Sequence, residues 1–351
     1  MNEKRIFVFS EDLSRPLDEG IKNAATQLIK ALSAEASVQG ACRLGNDLLE
    51  NMIEIPGINR GLVSRRLGRL IRRFNPDILL YIPRWAGTFA DFLRLRMLRL
   101  YQGRARSVIV VLQPKNKGGL QTRILKYVRP HLVLTPSPRV IGRMRELGIR
   151  VCFLPLPTDQ TRFRPAQDEQ ERGRLRKRYG IPAEKFIILH VGHINDGRNL
   201  EALLPLQGKD RQVLMVSSSS TSRVSYKDDG LKRVLKSAGI IVIDDFLDQV
   251  EEVYRLSDLY VFPVVQETGC ISLPLSVLEA MASGLPVLTS DFGGLKELFG
   301  QSGPGLQYVS PNRFLEAVQE IRRNRTAPSG REEIGRANRF FSQTLQTIIN
   351  G

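Results

Sequence analysis

The apolar residues of this chain fall into short, nearly unbroken runs, separated by longer stretches with helical spacing. In the first half the runs are RIFVF (5–9), DILLYI (77–82), SVIVVL (107–112), HLVLT (131–135) and VCFLPL (151–156). In the second half they are FIILHVG (186–192), QVLMVS (212–217), GIIVID (239–244), LYVFPV (259–264) and PVLTS (286–290). A strand with one wet face alternates apolar and polar residues. A strand covered on both faces does not, and such runs belong to parallel sheets flanked by helices. Two such sets predict an α/β chain with two Rossmann-like, doubly wound domains facing a central cleft. The polar, proline-containing stretch PTDQTRFRPAQDEQERGR lies between the sets and places the hinge at Asp159–Asp168. The expected domains are 1–165, 166–335 and a terminal helix, 336–351, that packs back towards the first.

Ligands in doubly wound folds bind beyond the carboxyl ends of the strands. The residues after each run therefore carry the candidate chemistry. After LYVFPV comes VQETGCIS, then a helical LPLSVLEAMAS, with Ser272 as the expected N-cap and Pro274 in the first turn. Gly284 and Pro286 stop that helix, PVLTS follows, and DFGG leads into a second helix from Leu295. Two helix starts at one sheet edge suit an anion, because their free N–H groups and dipoles point at it. Gly293 and Gly294 let backbone approach a ligand closely. Glu279, about two turns into the first helix, can accept hydrogen bonds from hydroxyls. In HVGHINDGRN (190–199), Arg198 follows a strand end, and its guanidinium suits a bidentate grip on a diphosphate. His193 adds a donor. Each of these also has a plainer reading: a solvated loop arginine, a structural histidine, and glycines that any α/β domain has after its strands.

Composition changes the picture in one respect. The 351 residues exceed one ordinary core, and 42% hydrophobic with 25% charged residues describes a globular chain. The formal net charge is +16, with 29 Lys and Arg against 13 Asp and Glu in residues 1–165 and 23 against 23 in the rest. All the excess therefore sits in the first half, which points to an anionic membrane, a nucleic acid or an acidic substrate as partner. RGLVSRRLGRLIRRF (60–74) places Val63, Leu67, Leu70, Ile71 and Phe74 on one helical face and Arg65, Arg66, Arg69, Arg72 and Arg73 on the other. Five arginines without an acid among them repel one another unless a polyanion lies near. WAGTFADFLRLRMLRLYQGRAR (85–106) reads equally as a sheet-packed helix and as one dipping into a headgroup layer, with Trp85 at the interface. Nucleic acid is not expected, since no zinc motif or aromatic RNA-binding signature accompanies the basic residues. Cys42, Cys152 and Cys270 match no metal spacing and suggest a reducing cytoplasm. The first residues read as a strand, not a signal peptide, and no apolar run is long enough to span a membrane.

These motifs together resemble glycosyltransferase family 4, the "group 1" transferases of the GT-B fold. The resemblance runs over nearly the whole chain, through SRPLDEGIKNAATQLIKALS, LVLTPSPRVIGRMRELGI, FLPLPTDQTRFRP and VGHINDGRN. Its most specific element is LPLSVLEAMASGLPVLTSDFGGLKE. It implies a nucleotide-sugar donor bound mainly on the second domain. Glu279 matches the second acid of the family's Glu-x7-Glu motif, which holds the ribose. Arg198 matches the diphosphate-binding Lys, and His193 stands in place of the diphosphate-binding Arg. Gly293, Gly294 and Leu295 would lie near sugar and phosphates, with Ser272 and Leu273 at the preceding helix start also at the donor. Gly20, after the first strand, would lie beside the diphosphate.

The chain departs from the pattern in three places. Eight residues before Glu279 stands Ile271 instead of Glu, and the nearest upstream acid is Glu267, so the first acid has either moved or gone. Gln113 and Lys115 stand near where the family often has a histidine. His193 is a weaker, pH-dependent replacement for Arg. The resemblance implies transfer with retention, without a cofactor or metal. The basic first half adds the expectation of a cytoplasmic enzyme peripheral on the membrane, acting on a lipid-linked or cell-envelope glycan acceptor held by that half. Arg198, His193 and Glu267 are the expected catalytic residues, Glu267 by orienting sugar hydroxyls. Asp228–Asp229 and Asp244–Asp245 read as turn residues, not as metal ligands. The degraded first acid keeps a second reading open, a nucleotide-sugar-binding pseudoenzyme or partner subunit.

Overall fold

The computed structural model describes residues 3–17, 19–45, 47–84, 87–114, 128–217, 226–267, 269–324 and 329–350. Trp85 and Lys115 lie outside the described residues. The chain forms two compact units. Unit 1 comprises Met1–Pro157, Ile271–Leu273 and Arg339–Gly351; unit 2 comprises Thr158–Cys270 and Pro274–Asn338.

Unit 1 is built on seven parallel strands: β1 (Arg5–Ser10), β2 (Ser37–Cys42), β3 (Met52–Glu54), β4 (Ile78–Ile82), β5 (Arg106–Val110), β6 (Leu132–Thr135) and β7 (Val151–Phe153). Their order is β3-β2-β1-β4-β5-β6-β7, so the winding reverses between β1 and β4. All five residues of β4 are buried, as expected of a strand covered on both faces. The covering helices include α1 (Gly20–Glu35), α2 (Arg65–Phe74), α3 (Phe89–Tyr101) and α4 (Pro138–Glu146). The short run SVQGAC of β2 escapes a reading by hydrophobicity because its space is filled by neighbours. A Cβ on Gly40 would stand 2.4 Å from both the Val8 carbonyl oxygen and the Met52 sulfur. The last residues of the chain also belong here: Phe340 stacks on Phe153 at 6.2 Å, and Gln346 donates to Glu35.

In α2 the Ser64 hydroxyl caps the helix by accepting from the Leu67 N–H at 3.2 Å. Leu67, Ile71 and Phe74 are buried in the core, while Arg65, Arg66, Arg69, Arg72 and Arg73 are all exposed. Val63 departs from the expected apolar face. It precedes the helix and is 56% exposed. Gly68 lets α3 come close, since a Cβ there would meet the Tyr101 ring at 2.7 Å. On α3, Phe92, Leu95 and Leu98 face the core, whereas Leu93 and Leu100 are exposed.

Unit 2 has six parallel strands: β8 (Phe186–Val191), β9 (Arg211–Ser217), β10 (Ile241–Asp244), β11 (Leu259–Phe262), β12 (Val287–Thr289) and β13 (Leu306–Tyr308), in the order β10-β9-β8-β11-β12-β13. Its helices are α5 (Glu169–Arg178), α6 (Tyr226–Ser237), α7 (Glu251–Arg255), α8 (Leu275–Ala282), α9 (Leu295–Phe299), α10 (Phe314–Asn324) and the first part of α11 (Arg331–Asn350). Asp228 and Asp229 sit in the first turn of α6 and not in a turn between elements, and Asp244 ends β10.

Buried and half-buried arginines tie the unit together. Arg331 donates to the carbonyls of Gln160 and Phe163, at 2.8 and 2.9 Å, and to that of Ala282. Arg176 bridges the Leu256 and Ala183 carbonyls and the Asp258 carboxylate. Glu171 accepts from Arg164, Arg255 and the Gln167 N–H. The Arg164 guanidinium, first among these, holds the Glu171 carboxyl down to about 2, against an ordinary value of 4.5. A carboxyl whose folded pKa is depressed contributes stability above its unfolded value and loses it as pH falls towards the folded one. The wild-type melting temperature should therefore drop between about pH 4.5 and 2. Glu171→Gln should lower it near neutrality and flatten that acid slope, which calorimetry against pH would show.

Candidate functional site

Parallel neighbours end on the same side, so the loops after β8, β11 and β12 emerge together at the carboxyl edge of unit 2. The loop after β8 starts at Gly192, whose N–H donates to the Val216 carbonyl at 2.9 Å. It turns through a short 3-10 segment, Asp196–Arg198. Asn195 accepts the Gly197 N–H at 3.1 Å, and Asn199 takes a left-handed conformation while donating to the Pro263 carbonyl. This folds the Arg198 side chain back over Gly192. A Cβ on Gly192 would stand 1.8 Å from Arg198 Nη1, so the guanidinium occupies the space that any other residue would fill.

Arg198 is 8% exposed, and its Nε and Nη1 have no hydrogen-bond partner among the described residues. No described carboxylate pairs with it. Burying a charged donor without an acceptor is costly unless a ligand supplies one. The neighbouring His190 gives no such acceptor charge. Its Nδ1–H donates to the Val261 carbonyl at 2.8 Å, and its ring stacks between Tyr260 and Phe262. Burial first, and then the Arg198 charge, pull its pKa down to about 3, so it is a neutral ring. His193 is half-buried in the same loop.

The loop after β11 holds the half-buried Glu267 and packs on the β8 loop. A Cβ on Gly269 would lie 2.6 Å from the Gly197 carbonyl oxygen. The helix that follows begins later than its residue types suggest. Pro274, with φ −65° and ψ 116°, is the residue before α8, and no side chain caps it. Ser272 is therefore not the N-cap. Its N–H donates instead to the Leu112 carbonyl at 2.8 Å, within unit 1, and its buried hydroxyl has no partner among the described residues. Leu273 and Gly20 also belong to unit 1. Gly20 begins α1, and a Cβ there would meet Ile271 Cδ1 at 3.2 Å.

Glu279 lies one turn into α8 and is 9% exposed. Its Oε2 accepts the Tyr254 hydroxyl at 2.7 Å. Burial raises its pKa above 4.5, opposed by the Tyr254 hydrogen bond and the Arg162 charge. After β12, the Ser290 N–H donates to the Phe262 carbonyl, and its hydroxyl to the Val264 carbonyl. Gly293 then takes φ +56°, which a side chain disfavours, and Gly294 leads directly into α9 at Leu295. Unit 2 thus gathers Arg198, His193, Glu267, Glu279, Gly293, Gly294 and Leu295 on elements at or beyond one sheet edge. Gly20, Ser272 and Leu273 lie in the other unit. Tyr254 gave no signal in the sequence, because EEVYRLSD looks like any amphipathic turn and only tertiary packing brings its hydroxyl to Glu279.

Comparison with known proteins bears on the fold and on the family of unit 2. Residues 186–324 match the family described as glycosyl transferases group 1. The sulfoquinovosyl transferase of Arabidopsis thaliana is 29% identical over 185 residues, 52% of this chain and 34% of that protein. A D-inositol 3-phosphate glycosyltransferase of Nocardia farcinica is 29% identical over 170 residues, 45% of this chain and 36% of its own length. The chain thus spans about a third of the length of these curated relatives. In fold, the crystal structure of HepE from Anabaena in complex with UDP-glucose is similar with a TM-score of 0.75 at 14% identity, covering 98% of both chains. Sucrose-phosphate synthase of Thermosynechococcus elongatus is similar with a TM-score of 0.76 at 16% identity, again over 98% of both. Residues 186–324, within unit 2, thus carry the match to the glycosyl transferases group 1 family, and the two Rossmann-like units share the GT-B fold of these solved structures.

Proposed function

We propose that this protein transfers a sugar from a nucleotide-sugar donor to a glycan or lipid-linked acceptor of the cell envelope, with retention of anomeric configuration and without a metal or cofactor. The observation that carries the reading is the Arg198 guanidinium, buried over Gly192 with two nitrogens lacking acceptors. A diphosphate supplies that acceptor, and its charge grows as the glycosidic bond breaks. Arg198 stabilises the growing charge as a preorganised donor, which acts on the transition state more than on the ground state. His193 adds a second donor. Glu279 accepts the ribose hydroxyls, and the amides at Gly293, Gly294 and Leu295 face phosphate and sugar. Gly20, Ser272 and Leu273 are proposed donor contacts as well, with Glu267 orienting sugar hydroxyls. The acceptor hydroxyl attacks from the side the diphosphate leaves, and a departing oxygen takes its proton.

A thermal-shift and hydrolysis screen against UDP-, GDP-, ADP- and dTDP-sugars tests this. Stabilisation by one donor with slow sugar release is the expected result. Ile271 gives a second reading its support. It stands where the family has its first acid, is 5% exposed and packs against Gly20. Stabilisation without release, even with lipid acceptors present, would favour a nucleotide-sugar-binding pseudoenzyme or partner subunit. Among the described residues no helix is long and apolar enough to cross a membrane. The exposed arginines of α2, with Leu93 and Leu100 of α3 uncovered, instead fit an anionic membrane surface. Each arginine near such a surface contributes about 1 kcal/mol. Co-sedimentation with anionic vesicles at low salt should be strong. It should fall at least tenfold when Arg65, Arg66, Arg69, Arg72 and Arg73 become Gln, and equal binding by this variant would count against the idea.

A further inference from the structure

Glu279 and the side chain that holds it form an arrangement that the reading above does not use. We propose that Tyr254 is a positioning residue for Glu279: its hydroxyl fixes one carboxylate oxygen so that the other meets the ribose hydroxyls of the donor nucleotide. This rests on the assignment of Glu279 to the ribose. Tyr254 sits on α7 and is fully buried. Its ring stacks on Tyr260 at 6.0 Å and takes the edge-to-face contact of Phe163 at 5.6 Å. Two aromatic neighbours thus fix the ring, and with it the hydroxyl, which donates to Glu279 Oε2 at 2.7 Å.

An ionised carboxylate only accepts, through two oxygens. Among the described residues Tyr254 is the one hydrogen-bond donor to Glu279, which leaves Oε1 available. The last torsion of a glutamate is broad and roughly two-fold. Without an anchor on Oε2, the direction of Oε1 is set by nothing but packing. With it, the acceptor is aimed before the ligand arrives, which lowers the ordering cost of binding. The groups whose charge or proton bears on Glu279 are Tyr254 and Tyr260 on the aromatic side, the Arg162 guanidinium and the Glu251 carboxylate. Arg162 favours the ionised form and Glu251 opposes it.

The test is affinity for ribose against deoxyribose. Calorimetry selects the tightest of UDP, GDP and ADP, and the 2′-deoxy and 3′-deoxy forms of that nucleotide are then measured. Wild type should prefer the ribonucleotide. Tyr254→Phe keeps the ring and removes the hydroxyl, and should cut that preference about tenfold by weakening the ribonucleotide alone. A purely structural role would weaken all three nucleotides equally, and that result, or an unchanged preference, overturns the proposal. Glu279→Gln separates the two levels of inference. If wild type shows no preference, or Glu279→Gln retains it, the ribose assignment fails and the positioning role with it. If Glu279→Gln loses the preference and Tyr254→Phe keeps it, only the positioning role fails. Should Tyr254→Phe not melt like wild type, 3-fluorotyrosine at position 254 keeps the shape and strengthens the donor. It should then raise the preference, and an unaltered value overturns the proposal.

Discussion

Arg198→Ala should abolish most sugar transfer while leaving the fold as stable as before or more so. On the catalytic side, removing one preorganised donor to a developing negative charge costs about 2.7–4 kcal/mol, or roughly 10²- to 10³-fold in turnover. On the folding side the expectation has the opposite sign. The guanidinium is 8% exposed, and two of its nitrogens meet no acceptor among the described residues, so in the empty protein it is desolvated without compensation. Removing it relieves that cost, and stability should rise by on the order of 1 kcal/mol. A group that destabilises the fold but serves the ligand is what a functional site predicts. Gly192→Ala gives the companion result. Its new Cβ would collide with Nη1 and swing the guanidinium away, so transfer falls although Arg198 is still present. Turnover with the screened donor and a melting curve on each variant decide the matter. Wild-type turnover by Arg198→Ala, or a melting point several degrees lower, would make Arg198 a structural arginine.

Glu279→Ala should weaken donor binding by about a hundredfold, the loss of two charge-assisted hydrogen bonds from ribose hydroxyls. Its pH behaviour gives a sharper signature. Burial raises the Glu279 carboxyl above its ordinary 4.5 in the folded protein. A raised carboxyl stabilises the fold below the unfolded value, and that contribution is lost as pH rises through the folded one. Nucleotide binding needs the carboxylate, so its pH dependence runs the other way: affinity should rise with pH across the same window. Glu279→Gln should remove the Glu279 share of both slopes, leaving only what other groups and the nucleotide's own phosphates contribute. Melting temperature and nucleotide affinity, each measured from pH 4.5 upward, check the two signs. Parallel slopes, or affinity that is indifferent to pH in wild type, would remove Glu279 from the site.

How far these residues can be read from the chain varies with how local their cause is. The strands FIILHV and ILLYI show themselves because burial on both faces forces a run of apolar side chains. β3 (MIE) and β13 (LQY) each carry a polar residue among only three and lie in no apolar run, unlike the equally short β7 and β12, and β2 hides because Gly40 is where neighbours crowd in. The start of α8 is misread for a related reason. Ser272 has the chemistry of a cap, yet its N–H is bonded to the Leu112 carbonyl, 160 positions away in the chain, and the helix waits until Leu275.

The sequence alone therefore determined the fold class, the two sets of strands, the basic first half and the positions of Arg198, Glu279, Gly293 and Gly294, because each depends on local pattern or on residue type. The tertiary structure decided what those residues meet. Only packing laid the Arg198 guanidinium over Gly192, withheld acceptors from it, and placed Ile271 against Gly20. Only packing carried Tyr254, 25 residues before Glu279, to its carboxylate. Residue types record which groups can bond; which of them are within 3 Å and shut off from water depends on contacts between segments far apart in the chain, and no local pattern encodes those.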